Sequence, residues 1–442
     1  MSEDIPDGAT RALARRVARP VDAAARAHAV RVLVDTLGCL AGARDTPEAR
    51  IVRATSGADT GPEARAFVWG ALAHTLELDD LHRASVTHPA CVVIPAALVI
   101  ARGAAQPSRD ATLDAIVRGY EVMTRIGEAV GAAHYRIFHN TATCGPFGAA
   151  AACASLLGLD EERSVWALGN AGSVAGGLWQ FNVEATATKP LHAGHASRSG
   201  VTAARLAANG LTGPERILEG PRGFFAAFCG ADARPGALSE PASGWKIAET
   251  SFKPWGSCRH THPAIDAALR LATLEPAAIT GVVVRGYRTI AELCDAPAPA
   301  SPARARFSVQ HCVAVALARG EVAIGAFDEA TVADPTIAAL RARVRFEVDP
   351  RFDTAYPGQW GSEVQVLTAD GHEHRAEALS PRGDPEAPLS DDDLDSKARG
   401  LIVHGVGWSE GEASDVLAAV RDPAHGLAPV WRVLDAACGP GE

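Results

Sequence analysis

Aromatic residues are scarce in this sequence, at 5% of 442 residues, although hydrophobic residues reach 47% and charged residues 21%. With so few large rings the apolar content rests on Ala, Val and Leu, a composition that favours tightly packed helices over an all-β sandwich. No basic footprint is present either, because the net charge is −10 and the charges are spread along the chain. That excludes nucleic acid as a partner. The strongest apolar run, residues 90–101, is too short to span a bilayer and is interrupted by Pro95. The opening MSEDIPDGATRALARR lacks the basic-then-apolar order of a signal sequence. Nine cysteines include no C-x-x-C pair and are odd in number, so buried thiols in a reducing compartment are expected. The composition points to a cytoplasmic protein without a membrane or nucleic-acid partner.

A chain of 442 residues exceeds what one hydrophobic core usually organises, so two domains are expected. Helical periodicity runs through 22–42, 64–78, 90–104, 110–132, 146–157, 161–178 and 195–209, with short Gly, Pro or His breaks and no strand pattern between. After Arg234-Pro235-Gly236 the character changes. β-Branched runs at 279–287 and 344–348 have strand length, and Asp370-Gly371 joins 363–368 to 372–378 as a hairpin. Helices are expected between them at 308–319 and 334–342. The tail returns to helices, with Ser390 and Ser409 each three residues before an acid, so the acidic run 391–395 reads as helix capping and not as a metal site. The expected fold is mainly α with an α+β insert. An all-helical domain is built from both chain ends, residues 1–235 and 389–442, and a smaller α+β domain covers 236–388.

Chemistry concentrates in four stretches. Residues 185–200, ATATKPLHAGHASRSG, place Lys189, His192, His195 and Arg198 among small residues, with no acid between Glu184 and Glu215. That composition faces anions, and small neighbours let a backbone approach a ligand closely. Its competing reading is a solvated helix start, adequate for His195 and Arg198. Residues 77–89, ELDDLHRASVTHP, gather Glu77, Asp79, Asp80, His82 and His88 between two apolar helices. These are metal-ligand types, but the spacing fits neither H-E-x-x-H nor an oxygen cage, and helix-end hydrogen bonding explains them equally well. In YRIFHNTATCGPFG, residues 135–148, His139 lies in a Gly- and Pro-broken loop at a helix mouth, placed to move protons. In SFKPWGSCRHTHP, residues 251–263, Lys253, Arg259, His260 and His262 surround Cys258. Two cationic stretches on different domains suit a multiply charged anion.

The ordered set of motifs resembles the MmgE/PrpD family, which includes 2-methylcitrate dehydratase, cis-aconitate decarboxylase and iminodisuccinate epimerase. The matching pieces are VDTLGCLAGA at 34–43, ELDDLHRASVTHPACVVIPAAL, GYEVMTRIGEA, FHNTATCGPFGAAAACASLLGLD, the long stretch from ATKPLHAGHASRSG to EGPRGF, FKPWGSCRHTHPAIDAA and ARFSVQHCVAVALARG. They occur collinearly over about residues 30–320. The resemblance implies a helical domain from both chain ends, an inserted α+β lid domain, a homodimer, no obligatory cofactor and an active site between the domains. Motif by motif it places family positions on the acid-rich stretch with His88, on His139, on Lys189 and on Lys253. Three departures stand out: Glu77 replaces the first acid of D-x-D-D, Cys258 stands where decarboxylase-like members carry His, and Asn140 follows His139 where Pro is common. These weigh against itaconate-type decarboxylation.

Dehydration, epimerisation and decarboxylation share the build-up of negative charge beside an existing carboxylate. Fixed cations must offset it, and a base must reach the carbon-bound proton. Lys189 and Lys253 suit the first task as compact charges, with Arg259 as a fork for a second carboxylate. His88 and His139 suit proton transfer, and Asp80 or Glu77 would orient an imidazole or serve as acid. Catalytic candidates are therefore Asp80, His88, His139, Lys189 and Lys253, and substrate-binding candidates are Glu77, Cys258, Arg259 and His262, with no metal. The expected activity is a cofactor-independent hydro-lyase acting on a small di- or tricarboxylate. A dicarboxylate epimerase or decarboxylase is the alternative within the family. A metal-dependent hydrolase using Glu77, Asp80, His82 and His88, or a non-catalytic carboxylate-binding protein, stands outside it.

Overall fold

A computed structural model describes residues 8–57, 59–103, 106–184, 186–239 and 244–439. The chain divides into two compact units, Met1–Val183 with Ala187–Ser251 and Ser390–Glu442, and Glu184–Thr186 with Phe252–Leu389.

The first unit is helical apart from one short strand pair. Its helices run α1 (Ala9–Arg16), α2 (Ala23–Ala43), α3 (Pro47–Ser56), α4 (Pro62–Thr75), α5 (Ala90–Ala101), α6 (Arg109–Ala129), α7 (Gly131–Ile137), α8 (Asn140–Leu156), α9 (Glu161–Gly172), α10 (Gln180–Val183) and α11 (Lys189–Ala208). Local signals set many starts. The side chains of Asp22, Thr46, Ser108 and Asp160 cap α2, α3, α6 and α9, and Pro62 opens α4. α5 is apolar all round and wholly internal but for Ile100, as expected of a central helix.

Two helices begin earlier than their periodicity predicts. α8 starts at Asn140 and carries Pro146 inside it, where the sequence suggests a start at 146. α11 starts at Lys189, with Pro190 in its first turn, and not at 195. α9 ends at Gly172, short of the expected 178. Packing accounts for α8: a Cβ on Gly145 would meet Ala196 and Val92, and one on Gly148 would meet Met123 and the Gly119 carbonyl. Such close helix contact outweighs the weak helix propensity of Gly.

Small residues in α11 serve the same end. A Cβ on Gly194 would fall on the Phe67 carbonyl of α4, and one on Gly200 would fall on Ala149 of α8. Gly70 of α4 in turn faces the Cys91 and Ala193 carbonyls. The Gly and Ala around Lys189 thus let helices approach one another, which corrects the expectation that they admit a ligand to the backbone.

The expected passage into the second unit at 236 lies further along the chain. Residues 244–251 stay with the helices because the Lys246 amide donates to Glu121 (3.0 Å), its ammonium pairs with Glu128 (2.9 Å), and β1 (Leu81–His82) pairs antiparallel with β2 (Thr250–Ser251). The C-terminal helices Asp391–Val406 and Glu410–Arg421 open on capping boxes at Ser390 and Ser409, with Asp393 and Glu412 closing them.

The second unit contains β3 (Ile279–Gly286), β4 (Val344–Val348), β5 (Ser362–Thr368) and β6 (Glu373–Ala378) in the order β4-β3-β5-β6. β3 and β4 are parallel and the other pairs antiparallel. Residues 287–343 between β3 and β4 carry helices, including Val309–Arg319 and Pro335–Arg341, as a parallel crossover requires. Asp370 and Gly371, the latter with φ 86°, turn β5 into β6.

Candidate active site

In the first unit the site grows from the end of α4. Glu77, two residues beyond the helix, has φ 56°, a left-handed conformation that a non-glycine residue adopts only under strong constraint. The constraint is an ion pair. Both Glu77 carboxylate oxygens lie on the Lys189 ammonium at the start of α11, at 2.6 and 2.7 Å, and both side chains are buried. Each charge inside the protein is tolerable because the other offsets it.

Beyond Glu77 the chain makes a tight reversal. The His82 amide donates to the Thr87 carbonyl (2.8 Å) and the Thr87 amide returns to His82 (3.3 Å), which brings His88 back beside Asp79 and Asp80. His88 Nδ1 lies 2.6 Å from the Asp80 main-chain oxygen, so this nitrogen carries the proton, and 3.8 Å from Asp79 Oδ2. The His88 amide donates to Thr141 at the start of α8 (3.0 Å). The Asp80 carboxylate binds the Ala90 amide at the head of α5 (3.0 Å) and the Tyr120 hydroxyl (2.8 Å). Burial holds this carboxyl well above the usual carboxylate range, and the Tyr120 phenol is pushed up by burial as well. Asp80 therefore fastens α5 and α6 to the reversal, while Asp79 is the acid that meets imidazoles.

His139 precedes α8, with its amide donating to the Gly177 carbonyl (3.1 Å). Its Nδ1 lies 3.2 Å from His192 Nδ1 on α11, so one ring donates and the other accepts. His192 is held down to about 4 by burial, and then by the neighbouring His74, Lys189 and His195, so near neutrality it is an uncharged partner. His195 and Arg198 are exposed, in keeping with a solvated face.

The sequence points to His88 and His139, but not to the residue between them. His74, in the last turn of α4, is 0% exposed and stands 4.7 Å from the His88 ring and 6.1 Å from the His139 ring, centroid to centroid. Ring nitrogens of His74, His88 and His139 lie within 4.8 Å of one another. A histidine on an apolar helix gives no local signal, and only its spacing three residues before Glu77 could have marked it. Tyr120 and His192 were equally unmarked as partners.

Three imidazoles this close are suited to passing protons between them, since each ring can donate or accept near neutral pH. A second convergence, His82 with Glu128 and Glu249, already surrounds the Lys246 ammonium, 2.9 Å from Glu128 and 3.3 Å from Glu249. Among the described residues, the quartet Glu77, Asp80, His82 and His88 expected of a metal-dependent hydrolase does not converge. His82 instead points its Nε2 to Glu249 at 3.4 Å. That pairing draws Glu249 down to about 2.

In the second unit, Lys253 is wholly buried and Cys258 is buried with its amide bonded to the Arg306 carbonyl (2.8 Å). Arg259 pairs with Asp384 and donates to the Arg382 and Pro381 carbonyls and to His262 Nδ1 (2.8 Å). His262 Nε2 meets the Ser257 carbonyl (3.3 Å), and His260 meets the Tyr287 hydroxyl (2.7 Å) while stacked on Trp360. Arg259 ties this loop to residues 381–384 and His262 bonds to Arg259 and Ser257 within it.

A buried Lys–Glu pair beside three converging imidazoles is machinery for moving protons near an anion, which is enzyme chemistry. The sequence profile of the MmgE/PrpD N-terminal domain matches residues 12–235 and that of the C-terminal domain matches residues 255–422. The chain belongs to the MmgE/PrpD family and is an enzyme of that family. It is similar to the cis-aconitate decarboxylase of Homo sapiens, 29% identical over 372 residues that cover 80% of this chain and 75% of that one. The cis-aconitate decarboxylase of Mus musculus is 30% identical over 359 residues, 76% of this chain and 71% of that protein. A cis-aconitate decarboxylase of Aspergillus terreus is 25% identical over 408 residues, 86% of this chain and 82% of its own length. No helix among the described residues is long and apolar enough to cross a membrane.

Proposed function

We propose that the protein is a lyase acting on a small di- or tricarboxylate without an organic cofactor or metal, and that its reaction is elimination of water from a hydroxy-polycarboxylate. The observation that carries this reading is the convergence of His74, His88 and His139 beside the Lys189–Glu77 pair. Elimination needs two proton-transfer groups, one to take the proton from carbon and one to protonate the departing hydroxyl. Several imidazoles in one place supply both. Lys189 supplies fixed positive charge for the enolate-like state, and Glu77 keeps that charge tolerable inside the protein. Lys253 is a second candidate for the same task.

Decarboxylation of cis-aconitate is the second reading, favoured by the names of the relatives; it needs one proton donor to the new carbanion. Cys258, at a position where the resemblance expects His, supports elimination over it.

The test is incubation of the enzyme with 2-methylcitrate, citrate and cis-aconitate in deuterated water. An unsaturated product that absorbs in the ultraviolet supports elimination. Release of carbon dioxide establishes decarboxylation, and deuterium uptake without unsaturation establishes epimerisation. Loss of turnover with a chelator, together with bound metal in elemental analysis, would overturn the metal-free reading.

A further inference from the structure

His74 carries an unusual combination of contacts. Its Nδ1 lies 2.7 Å from Asp79 Oδ2, inside the protein. An ionised carboxylate can only accept, so Nδ1 holds a proton, and Nε2 is a bare acceptor whenever the ring is neutral. That nitrogen is buried and has no hydrogen-bond partner. Leaving such a group unsatisfied is costly, so its presence calls for an explanation, of which a catalytic role is one.

The charged and titratable groups facing this ring come from each element packed around it. Glu77 Oε1 is 3.9 Å from Nε2 and is itself paired with Lys189. His88 and His139 stand beside the ring, and His192 stands behind His139. The Cys91 thiol of α5 lies with His74 and Asp79, and burial raises its ionisation well above the usual range, so it stays a neutral thiol.

We infer that Asp79 and His74 form a dyad in which His74 Nε2 accepts the carbon-bound proton of the substrate. The inference rests on the carboxylate-lyase reading above. The C–H bond beside the carboxylate breaks, its electron pair stays on carbon and spreads into the carboxylate, and the proton bonds to the Nε2 lone pair. The imidazolium so formed keeps its Nδ1–H on Asp79, which remains a carboxylate. The pair on carbon then forms the C=C bond as the C–O bond breaks with its electrons going to oxygen, and a second imidazole that enters protonated gives its proton to the hydroxyl, which leaves as water.

His88 is held differently. Its Nδ1–H rests on a neutral carbonyl, that of Asp80, whereas His74 rests on a carboxylate. A charge-assisted hydrogen bond is roughly twice as strong as a neutral one, so the imidazolium of His74 is the better stabilised.

The test compares the parent enzyme with His74→Gln, Asp79→Asn and Asp79→Glu, using whichever acid of the panel is turned over. His74→Gln is expected to lower kcat by at least ~10²-fold while KM changes by less than about threefold. Asp79→Asn removes the charge that stabilises the imidazolium, so kcat falls and the acidic limb of the kcat/KM profile moves to lower pH by about one unit. Asp79→Glu restores part of the loss. A purely structural role predicts less folded protein with kcat per folded molecule unchanged and the limb unmoved, and that result would overturn the dyad.

Nitrogen-15 spectra of the histidine-labelled protein provide an arm independent of turnover. His74 should show a protonated Nδ1 and a bare Nε2 that shifts on addition of tricarballylate. A protonated Nε2, or one indifferent to tricarballylate, overturns the inference. If no acid of the panel is turned over, the functional reading fails by itself and this arm decides the dyad.

Discussion

Two stretches of similar composition meet different fates in this molecule. Residues 74–88 with 139 and 189, in the first unit, and residues 253–262, in the second, both mix Lys, His and acid partners, and both are buried. In the second stretch the side chains bond to one another and to backbone carbonyls, Arg259 to Asp384 and two carbonyls, His260 to Tyr287, and His262 to Arg259 and Ser257, although the buried Arg259 Nε has no hydrogen-bond partner among the described residues. In the first, three imidazoles converge on one another, and the unsatisfied buried nitrogen, His74 Nε2, belongs to one of them. Residue types alone do not separate a site from a scaffold. What marks the first stretch is that groups able to exchange protons converge, whereas the second ties a guanidinium to a carboxylate and backbone carbonyls.

The sharpest way to break that comparison is to cut the ion pair that anchors the first stretch. Lys189→Ala leaves the Glu77 carboxylate buried and uncompensated, which costs about 3–5 kcal/mol of stability. Turnover of the preferred acid should fall by ~10³-fold or more per folded molecule, since a fixed charge facing the developing one is removed. Glu77→Gln should cost comparable stability. Thermal unfolding and single-substrate kinetics on both variants check this. Full turnover by folded Lys189→Ala would remove Lys189 from the chemistry.

Arg259→Met supplies the opposite arm. It strands Asp384 and should destabilise the protein by about 3 kcal/mol, while kcat/KM per folded molecule stays within about threefold. Denaturant unfolding followed by kinetics on the folded fraction reads both quantities. A rise in KM of tenfold or more would instead return Arg259 to the role of substrate fork.

Much of the fold was legible because it is written locally. The caps at Ser390 and Ser409, the helical periodicity of 22–42 and the Asp-Gly hairpin all act over a few residues. The starts of α8 and α11 were hidden because Gly145, Gly148 and Gly194 favour loops in isolation and become helical only where another helix presses on them. The site divided in the same manner. His88, His139 and Lys189 stand in segments whose composition is locally odd. His74 sits in an apolar helix, and the ordinary role of Asp80 as a clamp on Ala90 and Tyr120 depends on contacts ten and forty residues away.

The helix contact behind Lys189 gives a prediction of intermediate size. Gly194→Ala would place a methyl group on the Phe67 carbonyl and against Ala71, so α4 and α11 must part. Overpacking of this kind costs typically ~1–3 kcal/mol, and here it also moves Lys189 relative to Glu77. Activity should fall further than stability does, as kinetics and thermal unfolding of the same preparation would show. Gly200→Ala, one and a half turns further from the pair, should destabilise the protein with less effect on kcat.

The smallest expected effect belongs to His192, the uncharged partner of His139 near neutrality. Its folded value of about 4, set by burial and then by His74, Lys189 and His195, lies below the ordinary 6.5 of the unfolded chain. Between those two pH values the unfolded chain binds a proton that the folded one does not, so folding loses stability as pH falls through this window. Below about 4 both states are protonated and the dependence levels off. Allowing for solvent screening of a half-buried ring, the loss amounts to about 1 kcal/mol. Because carboxylates titrate over part of the same range, the quantity to measure is the difference in unfolding free energy between the parent and His192→Asn. That difference should rise in favour of the parent from pH 4 to pH 6.5 and stay level above. A difference independent of pH would mean that His192 takes its proton in the folded protein as readily as in the unfolded one. His139 would then face a ring that is partly protonated near neutrality and not a neutral acceptor.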